Sequence, residues 1–301
     1  MLSKRRLFLF TLLTLAILVV VHTAIPRKKA GFSLTKIRSP FVPSSKWKTP
    51  PPSPSEELII REIFSQEFNY LGSGAQCYAF LSADGKYVLK FFRMKHLIPK
   101  TWLNYLPIPG LSDYRFRKID KRVLRQEALF SSYKMAYEEL KEETGLIFVH
   151  LNKSKDLDLE VNLNDRMRKR YTVNLDEFEF ILQKKAQLVR DRIALLLQKG
   201  DPAGAIQAIN ALLQQVVEQS KKGFVDRDTG VSHNYGFVGD QVIHFDVGRI
   251  MRDEQAKDPS VYQRELLRVG KKLESWLEVL YPYLLPSLEE EINRMIDLPS
   301  S

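Results

Sequence analysis

Cysteine is almost absent from this 301-residue chain. Cys77 stands alone, so no disulfide framework can form within the chain and no cysteine-built structural zinc site is available. The five histidines, His22, His96, His150, His233 and His244, are scattered without metal-ligand spacing. No G-x-S-x-G segment and no P-loop occurs, which removes the common hydrolase and NTPase signatures, and no repeat of 20 to 50 residues is present. Acidic residues are missing altogether from residues 1–55, where ten lysines and arginines stand. The whole chain has 46 basic and 36 acidic residues, a net charge of +10, which taken alone suggests a polyanion binder. The excess belongs entirely to those first 55 residues, because Glu56–Ser301 contains 36 residues of each sign. A neutral body lacks the general basic footprint of a duplex-binding domain, so no nucleic acid is expected, although a local basic patch survives such an average.

Between two basic clusters runs LFLFTLLTLAILVVVHTAI, Leu7–Ile25, which is 19 residues without an ionised side chain. At about 1.5 Å per residue it reaches roughly 28 Å, the thickness of a bilayer core. Residues 1–26 therefore read as a basic terminus and a single transmembrane helix, with the bilayer and its anionic surface as partners. A cleaved signal peptide is the competing reading; the length of the run, bulky His22 three residues before a cut at Ala24, and Pro26 beyond it oppose cleavage. Counting basic flanks favours a cytosolic body by one charge, which leaves the orientation open. Residues 27–55 are basic and rich in proline and serine, ending in TPPPSPS, and predict a stiff, poorly packed spacer.

After Glu56 the pattern becomes that of a folded domain. Phe68–Leu71 and Tyr78–Leu81 predict strands flanking Gly72-Ser73-Gly74, Asp84-Gly85 predicts a hairpin turn, and Tyr87–Phe92 a third strand with Lys90 inside it. An ammonium in the middle of VLKFF needs an anionic partner, and two glycines let a backbone approach a phosphate. Asp120–Glu143 has helix-forming composition. Gly145–Leu151, Tyr171–Leu175 and Phe178–Gln183 read as strands, with a turn at Asp176-Glu177. Helices follow: Asp201 and Pro202 form a start signal, and Ile206, Ile209, Leu213, Val216 and Val217 recur at helical spacing. Leu266, Leu267, Leu273, Trp276, Leu277 and Leu280 near the end are read as core. A small sheet first and helices second suggest an α+β fold of two lobes.

Two acidic positions then stand out: Asp226-Arg227-Asp228 followed by Asn234, and a short strand Val242–Phe245 delivering Asp246 before Val247-Gly248. Oxygen ligands of this kind suit magnesium, which is held by one or two carboxylates together with phosphate oxygens. With these residues in view, the chain from about residue 65 to 250 resembles the protein-kinase-like superfamily. LGSGAQCYAF resembles its phosphate-covering loop, Lys90 its third-strand lysine, and Glu127 the helix C glutamate that pairs with that lysine. GFVDRDTGVSHN is similar to G-I-V-H-R-D-x-x-x-x-N and HFDVG to the D-F-G segment, with 18 residues from Asp228 to Asp246 where the family has around eighteen.

The resemblance implies a two-lobed α+β fold behind the transmembrane helix, with a small antiparallel sheet in an N-lobe over residues 56–185 and an abbreviated helical C-lobe over 186–301. It implies ATP and Mg2+ as cofactors and transfer of the γ-phosphoryl group to a hydroxyl of a protein, glycolipid or small molecule. Gly72, Ser73 and Gly74 would cover the phosphates, Lys90 would hold them, and Glu127 would orient Lys90. Asp228 would act on the attacking hydroxyl, and Asn234 and Asp246 would hold the metal. The chain departs from the pattern in four places: Cys77 replaces the third loop glycine, Asp226 replaces the histidine of H-R-D, Asn234 is one residue late so that His233 competes for its position, and no A-P-E-like segment follows Gly248. These departures support the alternative of a pseudokinase, a nucleotide-sensing scaffold with weak or no transfer, and they leave the acceptor open.

Overall fold

The computed structural model describes residues 31–99, 112–227 and 234–297. The described residues from Leu34 onward form one compact unit. The expected span Leu7–Ile25 lies outside the described residues, and among those described no helix is long and apolar enough to cross a membrane.

The chain begins its fold with α1 (Pro54–Phe64), which starts where local chemistry predicts: Ser53 caps it and Glu56 returns the bond to the Ser53 backbone. Then come β1 (Glu67–Ser73), β2 (Cys77–Ser82) and β3 (Tyr87–Phe92), with Gly85 at φ +73° in the turn between the last two. The long helix α2 (Ser112–Glu139) follows, and Gly145 at φ +64° ends the short helical turn before β4 (Leu146–His150). Next are β5 (Glu160–Asn164), β6 (Arg170–Asn174) and β7 (Phe180–Lys184).

These strands form one seven-stranded sheet in the order β4-β7-β3-β2-β1-β5-β6. The expectation of a purely antiparallel sheet needs correction, because β5 lies parallel to β1, with Phe68 beside Leu163. The strand at β5 was not anticipated from the sequence: EVNLN is short and half polar, and it gains its pairing only by crossing to the far edge of the sheet. For the same reason β6 and β7 do not pair with each other across Asp176-Glu177; β6 pairs with β5, and β7 with β3 and β4.

The lower half consists of β8 (Gln187–Leu188), α3 (Val189–Gln198), α4 (Pro202–Lys221), β9 (Phe224–Asp226), β10 (Tyr235–Val238), β11 (Gln241–His244), β12 (Ile250–Arg252), α5 (Pro259–Leu280) and α6 (Leu285–Asp297). Asp201 caps α4 by accepting from Gly204 N–H at 2.8 Å, and Pro202 occupies its first turn. Ile209, Leu212, Leu213 and Val216 of α4 share a core with Leu266, Leu273 and Leu277 of α5 and Leu288 of α6. Leu267 and Leu280 face outward instead. The lobes are joined where β7 ends at Lys184 and β8 begins at Gln187, already paired with Phe237 of β10.

The spacer expectation is overturned for residues 34–53. Ile37 is fully buried, Ser39 Oγ donates to Glu179 at 2.6 Å, and Thr49 Oγ1 donates to the Val149 carbonyl at 2.7 Å. Phe41 and Trp47 set their rings edge-on against Phe130 of α2, with centroids 6.1 and 5.4 Å away. Proline removes backbone donors but leaves side chains free to dock, and here those side chains hold the segment along the upper lobe. A fragment beginning at Glu56 therefore melts below one beginning at Leu34. Losing an aromatic packing partner costs about 3–5 kcal/mol, which is a fall on the order of 10 °C for a body of this size. Equal melting temperatures by calorimetry would show that the docked segment contributes nothing.

Candidate active site

Lys90 occupies the middle of the upper sheet, opposite Ala79 of β2 and Ile181 of β7. Its Nζ donates to the Phe245 carbonyl at 2.8 Å and lies 5.6 Å from the centre of the Phe245 ring. Burial lowers its pKa, while Asp246, and secondarily Cys77, pull it upward. Among the described residues no carboxylate comes within ion-pair distance of this ammonium, so it is a desolvated cation at the head of a cleft, lacking a full counter-charge. Neighbouring Cys77 has its thiol pushed up to about 12 by burial against the opposing pull of Lys90. It is a packed, protonated side chain and not a nucleophile.

The glycine loop joins β1 to β2 as a tight turn in which Gly74 N–H donates to the Cys77 carbonyl at 3.0 Å. Arg93, at the end of β3, fastens it: its N–H donates to the Gln76 carbonyl at 2.7 Å and its guanidinium to the Gly74 carbonyl at 2.6 Å. At Gly72 and Gly74 an added Cβ would meet nothing within 4 Å, and neither residue has a positive φ. The protein's own packing therefore demands neither glycine, and open space lies where a bound group would approach the backbone.

Beneath the loop, β11 delivers Asp246. The backbone N–H groups of Phe245 and Asp246 point to the Asn234 carbonyl at 2.8 and 3.4 Å. Under this turn lies a buried polar cluster. Asp226, standing where the resembled triplet has histidine, meets a histidine from another strand: His244 Nε2 is 3.3 Å from its Oδ2, close enough for charge attraction but outside hydrogen-bond geometry. His244 Nδ1 reaches Gln219 Oε1 at 3.0 Å, and Tyr235 stacks on the imidazole at 4.2 Å. Burial, and next the Asp226 charge, push the Tyr235 hydroxyl's pKa upward. Asp226 thus acts within the scaffold that sets the height of Asp246.

Two expected site residues are placed differently. Glu127 does not meet Lys90; it pairs with Lys46 of the docked segment at 2.6 Å and is partly exposed. Six residues at about 100° each set Glu127 roughly 120° around the helix from Tyr133, and it is Tyr133 that faces inward. Burial, then Cys77 and Asp246, raise the Tyr133 pKa, so a neutral phenol lies on the side of α2 turned to the cleft. The inward periodicity Leu129, Phe130, Tyr133, Ala136, Tyr137 carried that signal. Asn234 is buried and its amide is directed to Asp226 at 3.4 Å, so it serves the scaffold instead of offering itself beside Asp246 as a side-chain metal ligand. Asp228 and His233 lie outside the described residues, between Arg227 and Asn234. Among the described residues no cluster of three or more histidine, cysteine, aspartate or glutamate side chains could hold a metal. Asp246 alone fits the usual magnesium arrangement of one or two carboxylates completed by phosphate oxygens.

Gln76 of the loop and Gly248 close the site from two sides. A Cβ on Gly248 would stand 2.0 Å from Gln76 Oε1 and 2.9 Å from Leu129 Cδ1, so a larger residue has to displace the ends of both side chains. Gly248→Ala is expected to destabilise the chain by about 1 kcal/mol, the low end of overpacking costs because the Gln76 and Leu129 side-chain ends can shift, with the loss recovered by adding Gln76→Ala. Urea melts of the three variants check this; an unchanged Gly248→Ala would place Gln76 elsewhere.

Strand order β4-β7-β3-β2-β1 above a helical half, a glycine loop between β1 and β2, a lysine in β3 and an aspartate after β11 together define a two-lobed, kinase-like α+β fold. No family model matches the chain, and no characterised protein matches it by sequence. Solved structures similar to it include the bifunctional kinase-methyltransferase WbdD (15% identity, 77% of this chain and 46% of that one, TM-score 0.34). Others are the Rv3197–erythromycin complex from Mycobacterium tuberculosis (14%, 80% and 61%, 0.36) and the ROP18 kinase domain with AMP-PNP and sucrose (10%, 80% and 82%, 0.36). The chain thus spans less than half the length of WbdD. At these scores the matches add no weight to the strand order and residue placement.

Proposed function

We propose that this chain is a kinase-like phosphotransferase that binds Mg·ATP between the glycine loop and Asp246 and passes the γ-phosphoryl group to an acceptor hydroxyl. The observation that carries the reading is Lys90: a part-buried, desolvated ammonium, held by one carbonyl with its pKa drawn upward by Asp246, placed under glycines that the fold itself does not need. Such a group is suited to an anionic ligand, and phosphates at Lys90 would supply the missing counter-charge. Mg2+ held at Asp246 would neutralise phosphate charge. In the transfer, the acceptor oxygen bonds to the γ-phosphorus, the bond from that phosphorus to the β,γ-bridging oxygen breaks, ADP leaves with the electron pair, and the hydroxyl proton passes to the Asp228 carboxylate.

A second reading, a nucleotide-binding scaffold with little transfer, is favoured by one observation: Glu127 is engaged by Lys46 and does not orient Lys90. In either case the body is proposed to be tethered through Leu7–Ile25 with its cleft in the cytosol, where ATP is abundant, and with the flanking basic residues against anionic lipid at about 1 kcal/mol each.

The test uses the full chain in detergent. Magnesium-dependent ATP binding is followed by calorimetry and ADP release by a coupled assay, beside Asp246→Asn and Asp228→Asn. Binding lost in the first and turnover lost in the second supports the transferase. Tight binding with no ADP release in the wild type supports the scaffold. No magnesium-dependent binding removes both.

A further inference from the structure

At its far edge the upper sheet ends in the hairpin of β5 and β6, whose turn reads DRMRKR over residues 165–170. Arg166, Met167, Arg168, Lys169 and Arg170 are all exposed, Met167 to 87%. Here the neutral average of the body gives way to a local cationic surface, with four positive side chains placed around one apolar apex.

The turn is built by its own acid. Asp165 Oδ1 accepts from the backbone N–H groups of Met167 at 2.8 Å and Lys169 at 2.9 Å, and Oδ2 accepts from the Tyr171 hydroxyl at 3.3 Å. The Arg168 N–H donates to the Asp165 carbonyl at 2.9 Å. The carboxylate is thus engaged by the backbone that carries the cations. Arg170 pairs with Glu67 of β1 at 2.8 Å, and Lys169 Nζ lies 5.0 Å from the centre of the Tyr171 ring. Arg168 stands at φ +62°, a left-handed position that glycine fills without steric cost. An arginine there works against the local stability of the turn and adds a charge beside Met167, which points to a use for the side chain beyond the turn.

The direction of the hairpin matters as well. β5 is parallel to β1, with Asn164 beside Asn69, so both strands leave the sheet at the same end. Two residues on, β1 reaches Leu71, the extra residue of a bulge against β2 and 48% exposed, and then the glycine loop. Over the same two residues β5 reaches Arg166.

We infer that this hairpin tip docks on the surface of an anionic lipid bilayer, with Met167 entering the headgroup layer and Arg166, Arg168 and Lys169 against lipid phosphates. Basic side chains are drawn to an anionic leaflet, and an apolar apex flanked by cations suits the boundary between headgroups and acyl chains. A bilayer is favoured over a soluble polyanion because the same chain carries the 19-residue apolar run Leu7–Ile25 between basic clusters. Docked in this way, the glycine-loop end of the upper sheet faces lipid. The contact stands apart from the phosphotransferase reading and needs no nucleotide.

The experiment uses the full chain in nanodiscs of phosphatidylcholine, alone or with part of the lipid replaced by phosphatidylglycerol. An environment-sensitive fluorophore is attached at Met167→Cys; Cys77, its thiol pushed up to about 12, stays protonated and unlabelled. Quenching by lipid spin-labelled at the headgroup reports contact. The expected result is quenching in the anionic discs that is absent in pure phosphatidylcholine and reversed by high salt. It weakens at least tenfold when Arg166→Glu/Arg168→Glu/Lys169→Glu is added, and Arg166→Lys/Arg168→Lys keeps it, since the leaflet reads charge. Arg166→Gln/Arg168→Gln/Lys169→Gln, which removes charge without reversing it, lies between and serves should the glutamate variant fail to fold. The same label at Val279→Cys, 77% exposed on α5, stays unquenched. The inference is overturned by no quenching in anionic discs, by equal quenching with and without phosphatidylglycerol, by equal quenching at Val279, or by quenching that survives charge reversal. A label that responds to soluble poly-glutamate and not to anionic discs overturns it in favour of an acidic protein partner. The tether at Leu7–Ile25 is tested separately, by whether the chain elutes with the discs in high salt.

Discussion

Lys90→Met abolishes the rise in melting temperature that Mg·ATP gives the wild-type chain, while leaving the unliganded protein as stable as before or more so. The two effects have one cause. The ammonium is desolvated, and among the described residues it meets a backbone carbonyl at 2.8 Å and no carboxylate at ion-pair distance. Removing a part-buried, desolvated charge that lacks a full counter-charge relieves a desolvation cost, and methionine fills nearly the same space in a flexible way. Phosphates are the partner this cation lacks. Hydrogen bonds to charged groups contribute about 1.5–3 kcal/mol, so nucleotide affinity should fall by roughly 10- to 100-fold or more. Isothermal calorimetry checks the affinity and differential scanning the stability. A variant that binds Mg·ATP as the wild type does would take Lys90 out of the site. The pKa shift supplies a second readout with a definite sign. Because burial lowers the Lys90 pKa, the free site gives up its proton at a lower pH than an exposed lysine, and a phosphate raises it again. Nucleotide binding in the wild type therefore weakens as pH rises through the lowered pKa of the free site and is accompanied there by proton uptake, whereas whatever binding persists in Lys90→Met has lost that contribution.

Asp226→Ala unfolds the lower lobe far more readily than any change at an exposed carboxylate. Asp226 is buried under the turn that carries Asp246, with His244 Nε2 at 3.3 Å and the Asn234 amide at 3.4 Å, and it pairs across β9 and β12 with Ile250. Truncation leaves a fully buried imidazole and a buried amide facing an apolar methyl. Breaking one side of a buried polar pair costs about 3–5 kcal/mol, and at this chain size that is on the order of 10 °C. Asp226→Asn keeps an oxygen acceptor for the Asn234 amide and should cost clearly less. Thermal melts of the two variants make the comparison; equal losses would mean that the charge, and not the acceptor, is what the cluster needs. Nucleotide affinity should fall in proportion to the stability lost, since Asn234 positions the backbone of Phe245 and Asp246 from the same cluster.

Glu127 shows why the site was only partly legible. The sequence places a glutamate near the start of a long helix after a buried lysine, and a resemblance then suggests the pairing. Whether a helical residue faces inward depends on the phase of the whole apolar stripe, and Phe130, Tyr133 and Tyr137 put Glu127 on the outer side. There it found Lys46, 81 residues away in a segment expected to be unpacked. Asn234 is a similar case: its position beside the Asp246 turn followed from the motif, but the direction of its amide followed from Asp226 beneath it.

The basic charge divides along the same line. Residue counting moved the +10 to the first 55 residues and correctly excluded a uniformly basic body, yet Lys46 and Arg38 of that stretch are paired to Glu127 and Glu177 of the upper lobe. Conversely, four basic side chains from three separate stretches of the neutral body converge on one cavity.

What the sequence determined by itself is whatever near neighbours decide: the turn at Asp84-Gly85, the lysine-bearing strand, the capped start of α4 at Asp201-Pro202, the short strand before Asp246, and the lone cysteine's exclusion of disulfides. Hydrophobic period, glycine placement and helix caps act over a few residues and are written in order along the chain. The tertiary structure alone decided that β5 runs parallel to β1, that residues 34–53 dock on the upper lobe, that Tyr133 and not Glu127 faces the cleft, and that Arg93, Arg125 and Arg249 share a cavity. Each of these depends on contacts between residues far apart in the chain, where the winning partner is set by packing of whole elements and not by any local preference.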